Sequence, residues 1–167
     1  GEVFHIEEAS DGRVWFRTRE GLCSFDGERF QSVPGVGRFN GGRKIKPLAV
    51  ERNGTVWVVA ADQGALSRWD GRELQRVATN IIRTDDWVDG LNFDRQGRLW
   101  FALGDRGWGR IEGDRAEIVA DEGLSWAWSN PTSLLEKDNG SYWFGASGAI
   151  QWNGQTCLRF ASPIPLP

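Results

Sequence analysis

Apolar and polar positions alternate in short blocks along the whole chain, and each apolar block ends at a tight-turn signal. A unit made of a polar residue, a Gly and a Trp three residues after that Gly recurs four times. The four tryptophans are separated by 42, 43 and 43 residues, and they are Trp15, Trp57, Trp100 and Trp143. The pair Asn139-Gly140 predicts a type I′ hairpin turn, because both central residues of that turn need positive φ. The chain is therefore predicted to consist of four copies of one strand-and-turn unit.

Each copy contains four short strand patterns joined by tight turns, and none shows the 3.6-residue periodicity of a helix. A repeat near 43 residues with four strands is typical of a β-propeller blade. The sequence thus predicts an all-β fold, a β-propeller with four tandem four-stranded antiparallel blades. The predicted blades span about residues 1–33, 47–77, 90–119 and 133–160, and the Pro-rich segment 161–167 is predicted to be a tail or linker.

The second strand of each copy is apolar at successive positions, which predicts burial on both faces and a Trp packed between blades. Burial of this kind favours a closed ring, because an open arc would expose an apolar blade face. A closed four-blade ring within one chain is predicted in preference to a segment of a larger ring or to two chains that share a ring. A molar mass of about 37 kDa, twice the 18.7 kDa of the chain, would contradict that preference.

Charge and composition narrow the functional classes. The chain has 20 basic and 23 acidic residues, and no block of Lys or Arg stands out, which argues against a nucleic-acid binder. No run of 18 apolar residues is present, so no membrane insertion is predicted for this segment. The two cysteines, Cys23 and Cys157, are too few for a disulfide framework or a zinc site, and both are predicted to be small buried residues. No cofactor and no metal site are predicted.

The repeated motif resembles that of a known family. In the first copy, Asp11-Gly12 precedes Trp15-Phe16, Gly21-Leu22 follows, and Phe25-Asp26-Gly27 closes the third strand. This order resembles the two-component-regulator propeller repeat, and the resemblance extends to Phe160. It implies the sensor domain of a bacterial hybrid two-component system, with a periplasmic location that rests on the resemblance alone. Propellers of that family have about seven blades, so four copies are a departure from its pattern.

Catalysis is not predicted. The streptogramin-lyase propellers have a similar Gly-x-x-Trp-Phe strand, and their activity relies on His and a divalent metal. His5 is the only histidine in this chain and lies on a predicted strand between two apolar residues, so a structural role is favoured over that of a general base. The chain also contains no Gly-x-Ser-x-Gly sequence. We therefore expect a protein that is not an enzyme.

Residues that the repeat does not require, in the loops between and within copies, are the candidate ligand-binding residues. Their mixture of Trp with Asp and Arg suits stacking on sugar rings and hydrogen bonding to hydroxyl groups. Packing of the loop tryptophans into small local cores is the alternative interpretation. The candidates are Arg43, Asp85, Asp86, Trp87, Asp105, Arg106, Trp126 and Trp128.

The functional prediction is a ligand-sensing or ligand-binding propeller that recognises a carbohydrate or another small polar molecule. The alternative is a propeller that binds a protein partner, self-associates through its blades or acts as a structural scaffold. An enzyme similar to the streptogramin lyases is the third and least favoured class.

Overall fold

The computed structural model describes residues 1–38, 47–59, 66–82, 86, 88–103, 106–113, 115–120, 133–145 and 148–160. Within these ranges the chain is built from strands and turns, as the strand periodicity predicts. There is no helix in the described residues with the length and apolar character that a membrane crossing requires. The chain divides into two compact units, residues 1–88 and 89–167, which are treated separately below.

In the described residues, sixteen strands form four antiparallel four-stranded sheets, each made of four strands consecutive in sequence. The fold class predicted from the repeat is thus confirmed. The sheets are called blades 1 to 4. Blade 1 is β1 (Val3–Glu8), β2 (Val14–Thr18), β3 (Gly21–Phe25) and β4 (Phe30–Ser32). Blade 2 is β5 (Leu48–Val50), β6 (Val56–Val59), β7 (Leu66–Trp69) and β8 (Leu74–Arg76). Blade 3 is β9 (Val88–Phe93), β10 (Leu99–Leu103), β11 (Trp108–Glu112) and β12 (Arg115–Ala120). Blade 4 is β13 (Ser133–Glu136), β14 (Tyr142–Gly145), β15 (Ala149–Trp152) and β16 (Cys157–Phe160).

The turn between the first two strands has the same backbone structure in every blade. In blade 4 the Lys137 N–H donates to the Ser141 carbonyl at 2.8 Å, and the Gly140 N–H donates to the Lys137 carbonyl at 3.0 Å. Gly140 has a φ of 77°, whereas Asn139 does not have positive φ. The type I′ assignment is therefore wrong. The loop has the pattern of a type I turn followed by a left-handed Gly, which is the usual three-residue hairpin loop.

Burial along the second strand separates the middle blades from the end blades. β6 and β10 are buried along their whole length, as predicted for strands covered on both faces. In β2 and β14 buried and partly exposed residues alternate instead, so one face of each strand is better covered than the other. The prediction of two covered faces thus holds for the second strands of blades 2 and 3 only.

The apolar core of the first unit lies between blades 1 and 2. Trp15 is 3% exposed and packs with Leu22 of blade 1 and with Leu48, Val56 and Val58 of blade 2. The second unit has a matching core between blades 3 and 4, in which Trp100 contacts the rings of Tyr142, Phe144 and Trp152. Burial of these side chains supplies most of the driving force that joins the two blades within each unit.

A hydrogen bond from the Trp indole to a carboxylate six residues earlier occurs in both middle blades. The Trp57 Nε1–H donates to Glu51 at 3.2 Å, and the Trp100 Nε1–H donates to Asp94 at 2.9 Å. The corresponding position in blade 4 is Lys137, whose side chain has no acceptor, and Nε1 of Trp143 is buried without a partner in the described part of the chain. The four tryptophans therefore differ in their hydrogen bonding, although they occupy the same position in the sequence repeat.

The faces of the end blades that point away from these cores carry exposed apolar side chains. In blade 1, Ile6 is 58% exposed and Phe30 is 67% exposed, and the Phe30 ring lies 4.7 Å from that of Phe25. In blade 4, Leu158 is 56% exposed, and the ring of Phe160 stacks on Trp143 at 5.2 Å. Closure of the ring stays a prediction.

Asp94 is expected to make the protein less stable in acid. Burial raises the pKa of this carboxyl, but hydrogen bonds from Trp100 and Arg98 together bring it below its ordinary value. A carboxyl with a lowered pKa stabilises the fold above its ordinary pKa, and this stabilisation is lost as the pH falls through the lowered value. Urea unfolding of the protein and of Asp94→Asn should therefore give a stability difference that shrinks below about pH 4. A difference that does not change between about pH 2 and pH 6 would contradict this assignment.

Candidate functional site

A polar cluster lies on the inner edge of blade 1, on the face that packs against blade 2. In the register of β1 and β2, His5 lies opposite Arg17 and Glu7 lies opposite Trp15. Residues opposite one another in an antiparallel pair point to the same face, as do residues two apart along a strand. All four side chains consequently share the face on which Trp15 enters the core. We call His5, Glu7 and Arg17 the inner-strand cluster.

Arg17 is the most unusual member of the cluster, because its residue is 0% exposed. Its Nη1 donates to the Thr18 carbonyl at 3.0 Å. Its Nε and Nη2 are both buried, and among the described residues they have neither a hydrogen-bond partner nor a carboxylate in an ion pair with them. Burial lowers the pKa of the Arg17 guanidinium, yet an arginine keeps its charge at neutral pH. A buried cation with two unused donors is costly, since buried charges are normally paired.

The repeat shows that the fold does not require an arginine at this position. The residues that occupy the same place two positions after the conserved Trp are Val59, Ala102 and Gly145. Val59 and Ala102 are fully buried like Arg17, so the position is an apolar core position in blades 2 and 3, and in blade 4 it holds a partly exposed Gly. A residue that departs from the pattern of its own repeat, and for which the structure supplies no compensating interaction, is often part of a functional site.

His5 and Glu7 lie on β1, on the same face of blade 1 as Arg17. Oε2 of Glu7 lies 4.0 Å from Nε2 of His5, and the two side chains are about one-third exposed. Oε1 of Glu7 accepts a hydrogen bond from the Val50 N–H of β5 at 3.1 Å, which joins the first strands of blades 1 and 2. Burial raises the pKa of Glu7, against the opposing effect of the Val50 hydrogen bond, and burial lowers the pKa of His5. In both groups the main cause is that burial removes water from around the charged form.

Glu7 does not neutralise Arg17, because its two oxygens are directed to Val50 and towards His5. The unused Nε–H and Nη2–H of Arg17 lie on one edge of the planar guanidinium and point in nearly parallel directions. This edge is the one that accepts a carboxylate through two hydrogen bonds. The guanidinium thus presents a buried pair of donors whose spacing matches a carboxylate, on the same face as His5 and Glu7.

The sequence-predicted site residues fall mostly outside the described residues. Six of them do so, namely Arg43, Asp85, Trp87, Asp105, Trp126 and Trp128. Asp86 and Arg106 are described and are partly buried, but they belong to different compact units. The prediction of a loop site stays a prediction.

Sequence reasoning missed Arg17 and treated His5 as an isolated residue. A signal for Arg17 is nevertheless present in the sequence, because it stands in the column of Val59, Ala102 and Gly145 when the four copies are aligned. The position of His5 opposite Arg17 is harder to predict from the sequence. The strand β1 contains an irregularity between Val3 and His5, which shifts the pairing by one residue.

The strands and turns define this chain as a set of β-propeller blades, and solved structures of similar fold agree. It is similar to virginiamycin B lyase from Staphylococcus aureus with 15% identity and a TM-score of 0.70, over 98% of this chain and 57% of the lyase. It is also similar to the extracellular domain of a hybrid two-component system from B. thetaiotaomicron, with 16% identity and a TM-score of 0.68. That match covers 99% of this chain and 24% of the receptor domain.

A third similar structure is a gluconolactonase from Xanthomonas campestris, with 16% identity, a TM-score of 0.66, and coverage of 95% of this chain and 61% of the enzyme. The chain thus spans somewhat more than half of the two enzymes and about a quarter of the receptor domain. No family model and no curated protein matches the sequence. At these identities the likeness shows the fold alone, which is shared by enzymes and by receptor domains.

Proposed function

We propose that this chain is a non-catalytic ligand-binding module of the sensor type, which recognises a carbohydrate or another small polar molecule. The observation that carries the proposal is the inner-strand cluster, in which a fully buried arginine keeps two donors without a partner. A binding site needs few polar groups, provided that they are held in place by a rigid scaffold. The two strands that carry the cluster are paired along their length and anchored by Trp15 in the core.

Sensing requires only that the ligand binds one conformational state better than another, so the module needs no catalytic group. The side chains of His5 and Glu7 are about one-third exposed and carry groups that can hydrogen bond to a ligand. The similarity to an extracellular receptor domain makes an extracytoplasmic location part of this proposal. Signal transduction would then depend on the protein to which the module belongs.

Interaction with a protein partner or self-association through the blades is the second candidate function. Exposed apolar side chains on the outer faces of blade 1 and blade 4 favour it, with Phe30 at 67% and Leu135 at 61% exposure. Clusters of exposed apolar side chains are a common feature of interaction sites. The two candidate functions are compatible, because the inner-strand cluster lies on the opposite face of blade 1.

A ligand screen read by intrinsic Trp fluorescence and by thermal shift tests the proposed function. The panel contains neutral monosaccharides, neutral oligosaccharides and uronic acids, and at least one compound is expected to raise Tm and change the fluorescence. Trp126→Ala and Trp87→Ala test the loop residues predicted from the sequence. Arg29→Ala is the matched control, because the Arg29 side chain is 76% exposed in the β3–β4 turn.

A compound that raises Tm and changes the fluorescence both in the unmodified protein and in Arg29→Ala supports the proposal that the chain binds ligands. If every compound in the panel leaves Tm and the fluorescence unchanged, the ligand-sensing proposal is wrong. An unchanged response in both Trp variants would move the site away from the predicted loops without affecting the proposal itself.

A further inference from the structure

The two unused donors of Arg17 lie on one edge of the guanidinium. This arrangement indicates the shape of the ligand group that can bind there. Nη1, on the other side of the group, is held by the Thr18 carbonyl at 3.0 Å, and this hydrogen bond fixes the orientation of the plane. Nε and Nη2 are then left as a pair of donors with a fixed spacing. A planar group with two acceptor oxygens matches that pair best, since both hydrogen bonds can be straight at once.

The charge of the ligand follows from the burial of Arg17. A neutral hydroxyl or a water molecule could accept one hydrogen bond, but it would leave the buried positive charge uncompensated. The nearest carboxylate along β1, Glu7, has its Oε1 on the Val50 N–H at 3.1 Å and does not pair with Arg17. A monoanion is favoured over a phosphate dianion, because Glu7 lies on the same face and repels the larger charge more strongly.

Building on the proposed sensor function, we propose that the ligand carries a carboxylate, and that Nε and Nη2 of Arg17 bind its two oxygens side-on. The ligand class is therefore a carboxylic acid of small size, such as an acidic sugar. His5 and Glu7 are the ionisable groups of the described strands that share its face, and they are placed to contact the remainder of the molecule. Because Arg17 is 0% exposed, binding includes an opening step, and association is slower than for an open surface site.

Binding measurements with matched pairs of sugars test this inference on the complete 167-residue protein. Glucuronate is compared with glucose, and galacturonate with galactose, by isothermal titration calorimetry, with acetate and inorganic phosphate as separate probes. We expect each uronate to bind at least about tenfold more tightly than its neutral partner, the smallest effect of a charge-assisted hydrogen bond. Arg17→Lys, which keeps the charge but loses the paired donors, should weaken uronate binding about 10- to 100-fold.

A spectroscopic readout separates binding from a merely structural role of Arg17. The ¹⁵N resonance of the Arg17 side-chain Nε, assigned by its loss in Arg17→Lys, should shift when a uronate is added and should not shift with the neutral sugar. Arg29→Lys is the matched control variant, because its side chain is exposed and lies outside the cluster. It should leave the affinity for the uronates unchanged.

The outcomes distinguish this inference from the proposed function. Equal binding of uronates and neutral sugars, or uronate binding that Arg17→Lys does not weaken, overturns the carboxylate inference and leaves the sensor proposal standing. Preference for phosphate over every carboxylate also overturns it. If no probe shifts the Nε resonance, Arg17 finds its hydrogen-bond acceptors within the chain, and the carboxylate inference is overturned. If no compound of any class binds, the inference and the proposed function are both wrong.

Discussion

Arg17→Met is expected to stabilise the ligand-free protein, by about 1–3 kcal/mol in the free energy of unfolding. Replacement of buried ionic groups by apolar residues of similar size is often neutral or stabilising by a few kcal/mol, because the desolvation penalty of the charge is removed. Arg17 is fully buried and has two donors without partners, so little is lost when the guanidinium is removed. Met is unbranched and adapts to irregular spaces, which suits the position between Leu22 and His5 in the register of blade 1. Urea unfolding followed by Trp fluorescence measures the change.

The same substitution at Arg98 provides a control of opposite sign. Arg98 Nε donates to Asp94 at 2.7 Å, and its Nη2 donates to the Tyr142 hydroxyl. Because Asp94 is 7% exposed, Arg98→Met leaves a buried carboxylate without its cation. A loss of about 2–3 kcal/mol is expected, reduced somewhat by the partial exposure of Arg98. Comparison of the two Arg→Met substitutions separates the effect of an ion pair on the free energy of unfolding from the effect of a change in side-chain volume.

A loss of about 3–5 kcal/mol in Arg17→Met, as for a broken buried ion pair, would contradict the unpaired state of Arg17. It would place a partner for the guanidinium in the part of the chain that the structure does not describe. A gain in stability together with a loss of uronate binding is the outcome that links Arg17 to function, since binding sites are often less stable than the scaffold permits.

Trp100→Ala is expected to have the largest effect on stability, a loss of about 3–5 kcal/mol. The Trp100 residue is 0% exposed and contacts three aromatic rings of blade 4, and its indole N–H donates to Asp94. The substitution therefore removes a large apolar volume and also a hydrogen bond to a buried carboxylate. Differential scanning calorimetry and urea unfolding both measure this loss.

Trp143→Ala is the control for that prediction. Trp143 occupies the same place in its copy, but it is only partly buried, its indole N–H has no partner, and it stacks on Phe160 of the outer strand. Its removal should cost less than half as much as removal of Trp100, because less apolar area returns to water. Equal losses for the two variants would support the simpler expectation from the sequence, in which all four tryptophans are equivalent.

The repeat in the sequence was sufficient to predict the architecture, because local rules determine each part of a blade. Turn residues at Asp11-Gly12 and its three counterparts end one strand and begin the next, and the strands pair with their neighbours in sequence. Contacts between consecutive strands can be inferred from the period alone. The turn type was predicted wrongly, because the choice between a two-residue and a three-residue loop depends on the pairing of the flanking strands.

The inner-strand cluster depends on tertiary structure in a way that the repeat does not reveal. An irregularity in β1 sets which of its side chains lies opposite Arg17, and a shift of one residue would put Phe4 or Ile6 there instead of His5. The packing of blade 2 against blade 1 brings the Val50 N–H to Glu7, while Arg17 is buried with Nε and Nη2 unpaired among the described residues. Sequence by itself determined the blades, the positions of their turns and their apolar columns. Only the tertiary structure decided which polar side chain is buried without a partner, because burial and pairing depend on residues from different strands and blades.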